Sequence, residues 1–270
     1  MNAAQAPEST TSTDLVVAAD PCAGPNPALV AAAQRAGGRG ILDVDDPARG
    51  AADLADLARR GVASCWIRPT GAVTPDELAG PAVEIEAVVV AVGAEGTDPD
   101  GSAIGAMVEA VGSWRTAGSW RVIAQVTSRA QGVAAVDAGV DGLIASGCEA
   151  GGVVGATEAF ILFQQVVDLG VPVWSRGGIG PHTAAAVVAG GGAGVVLDVQ
   201  LGLVRESALD ADARHALGAM DGSETRVVGG HRIYTRPDLT AAALAEDTPP
   251  AEVAARLGFR LRHDLVPFGQ

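Results

Sequence analysis

Lysine is missing from this sequence, because all eighteen basic residues are arginine. The absence excludes enzymes that work through a lysine Schiff base, a lysine-anchored pyridoxal phosphate or the lysine of a P-loop. Other proton-exchanging groups are scarce, with four histidines, three cysteines and one tyrosine in 270 residues. The sequence therefore offers few candidates for acid–base or nucleophilic catalysis.

Cysteine pairs and long apolar runs are also missing. The three cysteines form an odd set without a CxxC motif, which is typical of a chain in a reducing compartment. No apolar run approaches the roughly 18–20 residues that span a bilayer. Residues 1–13 have neither a positive start nor an apolar core, so we expect a disordered lead-in rather than a signal peptide. These absences predict a cytoplasmic protein without a membrane partner.

Positive charge is outweighed by negative charge, since thirty-two acidic and eighteen basic residues give a net charge of −14. A surface that binds nucleic acid or anionic lipid is expected to be basic, so the balance argues against both partners. Hydrophobic residues make up 48% of the chain and charged residues 19%, which is the composition of a globular protein. The length allows one large domain or two small ones.

Short apolar runs alternate with alanine-rich stretches along most of the chain. Because nearly every position of these runs is apolar, they favour strands buried on both faces, as in a parallel sheet. Eight strands with helices between them predict an α/β fold, the (β/α)8 TIM barrel, with an open doubly wound sheet as the alternative. The predicted strands are Leu15–Ala19, Gly40–Val44, Ala63–Ile67, Ala87–Val92, Val122–Val126, Gly142–Ala145, Pro172–Trp174 and Gly194–Leu197.

Helices are predicted between most of these strands. Pro47 and Pro181 each stand where a proline fits the first turn of a helix. The predicted helices are Asn26–Ala36, Asp46–Arg60, Ser128–Ala138, Ala156–Leu169 and Pro181–Ala189.

The pattern changes near residue 220. We expect a turn and a short strand over 221–236, a capped helix over 249–258 and a closing segment, 259–270, without a clear partner. The predicted divisions of the chain are a disordered lead-in (1–13), a TIM-barrel flavin-type domain (14–220) and a C-terminal appendage or linker (221–270).

A run of glycines follows the seventh predicted strand. Gly177-Gly178-Ile179-Gly180 leads into the predicted helix that begins at Pro181. Backbone N–H groups at such a turn can bind a phosphate, and barrels often hold phosphates after strands seven and eight. The same glycines also suit a tight turn that needs their backbone freedom. The turn alone does not choose between these two interpretations.

Several longer motifs occur in a fixed order between residues 14 and 207. They are Asp20-Pro-Cys-Ala-Gly24, Gln125-Val-Thr-Ser128, Ala138-Gly-Val-Asp-Gly142, Gly147-Cys-Glu-Ala-Gly-Gly152, and Pro172-Val173 running into Gly177-Gly-Ile179. In these motifs and their order the sequence resembles the nitronate monooxygenase (2-nitropropane dioxygenase-like) family, which includes flavin-dependent enoyl reductases. It looks most like the versions associated with polyketide or polyunsaturated-fatty-acid synthases.

The resemblance implies an FMN held across the mouth of a TIM barrel, with NAD(P)H as a possible reductant and no metal. It assigns the phosphate to the turns after strands seven and eight, and the flavin ring to the ends of strands one, three, five and six. The implied cofactor-binding residues are Ala23, Gly24, Gln125, Gly151, Gly152, Gly177, Gly178, Ile179, Val199 and Gln200.

The sequence departs from the family pattern at three places. Val153 stands where the family has a histidine that acts as a base or contacts the flavin, and valine cannot transfer a proton. Val199-Gln200 replaces the Gly-Thr or Gly-Ser of the strand-eight turn, and the preceding Asp198 would repel a phosphate unless its carboxylate points away. Arg68 stands where the family tends to have asparagine. These changes weaken the case for an FMN site and leave the catalytic residues unknown.

Other polar residues near the predicted strand ends have two interpretations each. Arg176 could bind a phosphate, but a pair with Asp198 is favoured because the ends of neighbouring strands lie close together. Glu149 is a weak candidate for a catalytic base and more typical of a backbone hydrogen-bond acceptor. His182 could contact an anion, although a solvent-facing position at a helix start is commoner. Cys148 is expected to be an unreactive small thiol.

Two functions remain open at this point. The first is an FMN-dependent oxidoreductase that acts on a small-molecule or carrier-bound acyl or enoyl thioester in polyketide or fatty-acid biosynthesis. The alternative is a degenerate, flavin-free barrel that serves as a structural or docking domain of a larger synthase. A third interpretation, a phosphate-binding isomerase or aldolase barrel, is disfavoured by the missing lysine and the scarce histidines.

Overall fold

The computed structural model describes most of the chain between Asp14 and Thr235, together with a few residues beyond it. No helix in this described part is long and apolar enough to cross a membrane. The described residues are 14–21, 24–69, 73–78, 82–91, 102–209, 211–220, 224–235, 245, 248–249, 252–253 and 265–266.

Eight parallel strands form a closed barrel, in which the first strand pairs with both the second and the last. Each strand pairs with the strand that follows it around the barrel, so the chain winds in one direction. The predicted (β/α)8 barrel is confirmed. Its strands are β1 (Val16–Ala19), β2 (Arg39–Val44), β3 (Ser64–Pro69), β4 (Glu84–Ala91), β5 (Arg121–Val126), β6 (Gly142–Ser146), β8 (Val173–Arg176) and β9 (Gly194–Leu197).

In the described residues, six α-helices connect the barrel strands, and the first turns of three of them explain where they begin. The side chains of Asn26, Asp46 and Ser128 accept backbone N–H groups at the starts of three helices, which is the usual way to cap a helix. The helices are α1 (Pro27–Arg35), α2 (Pro47–Arg59), α3 (Ser102–Ala117), α4 (Arg129–Asp137), α5 (Ala159–Val166) and α6 (Pro181–Ala189); α7 (Ala211–Gly218) follows the last barrel strand.

The strands are apolar along both faces because both faces are buried. Alternate residues point into the barrel, where Trp66 and Trp174 meet edge to face with ring centroids 5.2 Å apart. The residues between them point outward and pack beneath the helices. The inner layer consists of Val17, Ala19, Ile41, Trp66, Ala87, Val89, Ile123, Ile144, Trp174 and Val196.

A second, smaller sheet joins the loop after β6 to the C-terminal segment. Its strands are β7 (Gly152–Val153), β10 (Thr225–Val228), β11 (His231–Thr235) and β12 (Leu265–Val266). β11 pairs antiparallel with the other three. The loop that follows barrel strand β6 is therefore attached to residues about 80 positions further along the chain.

The structure differs from the sequence prediction mainly outside the barrel strands. Helix α3 was not predicted, since its two glycines lower the intrinsic helix propensity. The single strand expected within 221–236 is a two-stranded hairpin. The described residues of the closing segment, Leu265 and Val266, form β12 and have a partner in β11. Of the helix predicted over 249–258, the described residues Glu252 and Val253 are helical, and most of the rest lies outside the described part.

Candidate functional site

A layer of polar side chains lies inside the barrel at the carboxyl ends of the strands. Each member follows an inner-layer residue by two positions in the chain, so its side chain points inward as well. All of them are buried, and the most exposed has a relative accessibility of 7%. The members of this mouth layer are Asp43, Arg68, Gln125, Ser146, Arg176 and Asp198.

One half of the mouth layer is a bidentate ion pair between Arg68 and Asp43. Arg68 donates from Nε to Oδ1 of Asp43 at 2.5 Å and from Nη2 to Oδ2 at 3.0 Å. The third guanidinium nitrogen of Arg68, Nη1, donates to the side-chain carbonyl of Gln125 at 3.3 Å. Burial raises the pKa of Asp43, while the adjacent Arg68 charge opposes that rise. Gln125, one of the residues that the resemblance implies for cofactor binding, is part of this internal network.

The other half of the mouth layer is the pair predicted from the sequence. Nη2 of Arg176 lies 2.9 Å from Oδ2 of Asp198, which confirms the favoured pairing. Arg176 also donates to Oγ of Ser146 at 3.3 Å and to the carbonyl of Gly151 at 3.0 Å. Burial is the main influence on the pKa of Arg176, which it lowers, and the nearby Asp198 opposes that change.

The turn after β9 is closed by its own side chains. Oδ1 of Asp198 accepts the backbone N–H of Val199 at 2.7 Å. The side chain of Gln200 accepts the N–H of Asp198 at 3.1 Å and donates to the carbonyl of Ile179 at 2.9 Å. Gln200 therefore bridges the turns after β8 and β9, between which the resemblance places a phosphate.

The glycine turn after β8 has a structural reason to be glycine. Gly177 and Gly178 have φ values of +108° and +57°, which side-chain-bearing residues rarely adopt. A Cβ atom at Gly177 would also lie 2.9 Å from the backbone nitrogen of Ala150. Helix α6 begins directly after its N-cap residue, Gly180, which makes no side-chain cap. His182 lies exposed in its first turn, as the solvent-facing interpretation predicted.

The end of β1 is also held by internal hydrogen bonds. Oδ1 of Asp20 accepts the N–H of Gly24 at 3.4 Å, and Oδ2 accepts from the side-chain amide of Asn26 at 3.0 Å. Ala23, the other residue implied here for flavin contact, lies outside the described residues.

The remaining candidate site residues lie in the loop after β6 and in the strand that follows it. Oε2 of Glu149 accepts the N–H of Ala159 at 2.9 Å, as the backbone-acceptor interpretation predicted. Burial raises the pKa of the Cys148 thiol, with the charge of Glu149 adding to the effect. Gly152 and Val153 form strand β7, where Val153 lies opposite His231 of β11.

The mouth residues do not fit a bound FMN phosphate at the turn after β9. A phosphate there would meet the buried Asp198 carboxylate, and the N–H of Val199 is already bonded to that carboxylate. Gln200 ties this turn to the carbonyl of Ile179, so its side chain lies between the two turns. In the β8 turn, by contrast, Gly177 and Gly178 have positive φ values, which turns that bind anions through successive N–H groups also use.

The Arg68–Asp43 pair of the mouth layer was not predicted from the sequence. Arg68 was noted only as a departure from the family pattern, and its partner Asp43 lies 25 residues earlier in the chain. The available signal was that both residues lie near the carboxyl ends of neighbouring strands, as Arg176 and Asp198 do. The two residues are register partners in adjacent parallel strands, so their side chains meet.

Fold and site together define a closed (β/α)8 barrel whose mouth contains two buried arginine–aspartate ion pairs. No family model matches the chain, and no curated protein sequence matches it.

Solved structures do match it. FabK from Thermotoga maritima is 22% identical, with 90% of this chain and 78% of that chain covered at a TM-score of 0.70. A nitroalkane oxidase from Streptomyces ansochromogenes is 22% identical over 88% of this chain and 81% of that chain, at 0.65. The enoyl reductase domain of MlnA, from the macrolactin biosynthesis cluster of Bacillus amyloliquefaciens, is 11% identical over 82% and 64%, at 0.59.

These neighbours agree with the resemblance found in the sequence. They include an enzyme named for nitroalkane oxidation and a domain named for enoyl reduction, so the named activities are oxidoreductase activities. At identities of 22% and below, the likeness establishes the shared barrel fold.

Proposed function

We propose that this chain is a flavin-free barrel that serves as a structural or docking domain of a larger acyl-processing synthase. The observation that carries the proposal is the Arg176–Asp198 pair, which lies buried at the turns where a barrel of this kind would hold a phosphate.

Electrostatics explain why that pair opposes FMN. Two like unit charges 4 Å apart repel by about 4 kcal/mol at an effective dielectric constant of about 20. A phosphate beside Asp198 would meet this repulsion and would compete for Arg176, which already holds the carboxylate at 2.9 Å. Displacing the carboxylate would leave it buried without a counterion, which is costlier still.

Among the described residues, none of the candidates named from the sequence is a ready proton carrier. Val153 replaces the histidine of the family, Glu149 is bonded to the backbone of Ala159, and the pKa of Cys148 is raised. In the described part of the mouth, Asp43 and Asp198 each lie in an ion pair with an arginine. This arrangement supports a structural role over catalysis.

The synthase context rests on two kinds of support. One is the sequence resemblance to barrels associated with polyketide or polyunsaturated-fatty-acid synthases. The other is the structural match to the enoyl reductase domain of MlnA, a domain from a macrolactin biosynthesis cluster. A barrel that retains the fold without the cofactor could still position neighbouring domains or a carrier-bound substrate.

A second candidate is an FMN-dependent oxidoreductase that reduces an enoyl thioester with NAD(P)H. The observation that favours it is the turn after β8, where Gly177 and Gly178 have positive φ values and the following helix has no side-chain cap. In this candidate the turn would hold the FMN phosphate, and the flavin would supply the hydride transfer.

Turnover separates the two candidates. The purified chain is incubated with excess FMN, desalted and assayed for NAD(P)H-dependent reduction of an enoyl thioester and for oxidation of a nitroalkane or its nitronate. The nitroalkane oxidase from Streptomyces ansochromogenes serves as the positive control in the second assay. The proposal predicts no turnover in either assay. Turnover by flavin-loaded chain would overturn it and establish the second candidate.

A further inference from the structure

We infer that the Asp198 carboxylate is an internal ligand in a latent anion site, which Arg176 and the Val199 N–H complete. Removing the carboxylate would open that site to inorganic phosphate or a phosphomonoester. The inference rests on the proposed function to the extent that the wild-type site is taken to be filled by the chain itself.

The carboxylate occupies the site as a small anion would. Asp198 has no exposed surface, so its charge depends on protein donors for compensation. One oxygen, Oδ1, accepts the N–H of Val199 at 2.7 Å, and the other, Oδ2, lies 2.9 Å from Nη2 of Arg176. An N–H group and a guanidinium converging on one anion are the donors that protein phosphate sites use.

Arg176 is held in place without help from Asp198. Its guanidinium donates to Oγ of Ser146 and to the carbonyl of Gly151, and its side chain is 5% exposed. Its Nε has no hydrogen-bond partner among the described residues, and Oδ2 of Asp198 makes no aligned hydrogen bond. The Arg176–Asp198 contact is therefore close but poorly aligned for a hydrogen bond. The Nε–H of Arg176 remains available to an anion with more oxygen atoms than a carboxylate.

The bridge between the two turns is an exposed side chain. Gln200 joins the turns after β8 and β9 through its bond to Ile179 and is itself exposed, whereas Arg176 and Asp198 are buried. The inference therefore requires the Gln200 side chain to move when an anion replaces the carboxylate.

The mouth layer contains a matched control. Asp43 is also fully buried and also pairs with an arginine, Arg68. In the part of the chain that the structure describes, however, Asp43 receives hydrogen bonds from Arg68 alone, and no turn N–H points at it. Loss of Asp43 should therefore destabilise the protein without creating a phosphate site.

The test compares Asp198→Ala with Asp43→Ala in thermal unfolding, in phosphate and in chloride at equal ionic strength. Both variants should unfold at lower temperature than the wild type. Phosphate should raise the midpoint of Asp198→Ala alone, and at ten times its Kd it should increase the ratio of folded to unfolded protein about 11-fold. The double variant Arg176→Ala/Asp198→Ala should lose this response, because it lacks the cation.

A second variant keeps the inference testable if Asp198→Ala does not fold. Asp198→Ser retains an oxygen for the Val199 N–H and vacates the space of the carboxylate. Calorimetric titration should detect one phosphate per chain in Asp198→Ser and none in the wild type. Absence of binding, or an equal effect of phosphate on Asp43→Ala, would overturn the inference. FMN retention by the wild type is a separate result, which would overturn the proposed function instead.

Discussion

The stability of this barrel is sensitive to the loss of individual buried charges. Arg68 and Asp43 are 6% and 0% exposed and share two hydrogen bonds. A buried pair need not be more stabilising than apolar residues of the same volume, but loss of one partner leaves an uncompensated charge. The two pairs of the mouth layer are therefore sensitive to single substitutions.

Substitution of Asp43 by alanine should lower the free energy of unfolding by about 3–5 kcal/mol, since Arg68 would remain buried without a counterion. Asp45→Ala is the control, because Asp45 forms an exposed pair with Arg49 and such pairs contribute about 0–1 kcal/mol. Urea unfolding followed by circular dichroism measures both values. Equal losses in the two variants would contradict the account of the mouth layer.

Cys65 should be unreactive while the chain is folded. Its thiol is buried, and burial raises the pKa of Cys65 to about 12, so almost no thiolate exists at pH 8. Iodoacetamide labelling with peptide mass analysis should leave Cys65 unmodified until urea unfolds the protein. The half-buried Cys148 should label earlier. Labelling of Cys65 at the same rate in folded and unfolded chain would show that it is accessible.

At the residue scale, the strand order read from the sequence predicts that residues at the ends of neighbouring strands lie close together. This reasoning predicted the Arg176–Asp198 pair. The same reasoning applies to Arg68 and Asp43, but their pair was not predicted. The bridge from Gln200 to Ile179 could not be predicted, because it depends on the rotamer of one exposed side chain and on the path of two turns.

Among the elements, the barrel strands were the most predictable. A strand buried on both faces must be apolar at successive positions, and that signal does not depend on partners distant in the chain. Predicted and observed bounds agree for Gly194–Leu197 and differ by a few residues elsewhere. β7 has two residues and exists only through its pairing with β11, so no local pattern marks it.

Helix α2 depends on its first turn. Asp46 accepts the backbone N–H of Arg49 at 2.8 Å and caps the helix. Asp46→Ala should therefore reduce stability by about 1 kcal/mol, while Asp46→Asn should stay close to the wild type because asparagine is an equally good cap. Chemical denaturation of the three proteins measures the difference. Equal stability of the alanine and asparagine variants would argue against the cap.

On the scale of the whole molecule, the small sheet joins the C-terminal segment to the mouth of the barrel. β7 directly follows the loop that contains Cys148 and Glu149, and it pairs with β11. Arg232 of β11 also donates to the carbonyl of Cys148. The predicted boundary near residue 220 therefore divides the sequence but does not separate these contacts in space.

Truncation after Met220 should disturb the barrel mouth as well as remove the appendage. Without β11, strand β7 loses its partner, so amide hydrogen exchange should become faster over residues 148–154 and the unfolding temperature should fall. Removal of residues 1–13, the predicted lead-in, is the control and should leave both properties unchanged. Unchanged exchange in the truncated protein would mean that the sheet does not support the loop.

The central claim is that the chain fills its own phosphate position and binds no flavin. The most direct measurement is the visible absorbance of the purified chain before and after incubation with excess FMN and desalting, with FMN passed through the same column as the blank. The account predicts no flavin bands in either protein sample, because Asp198 and Gln200 occupy the turns after β8 and β9. Flavin bands that persist in stoichiometric amount would contradict it.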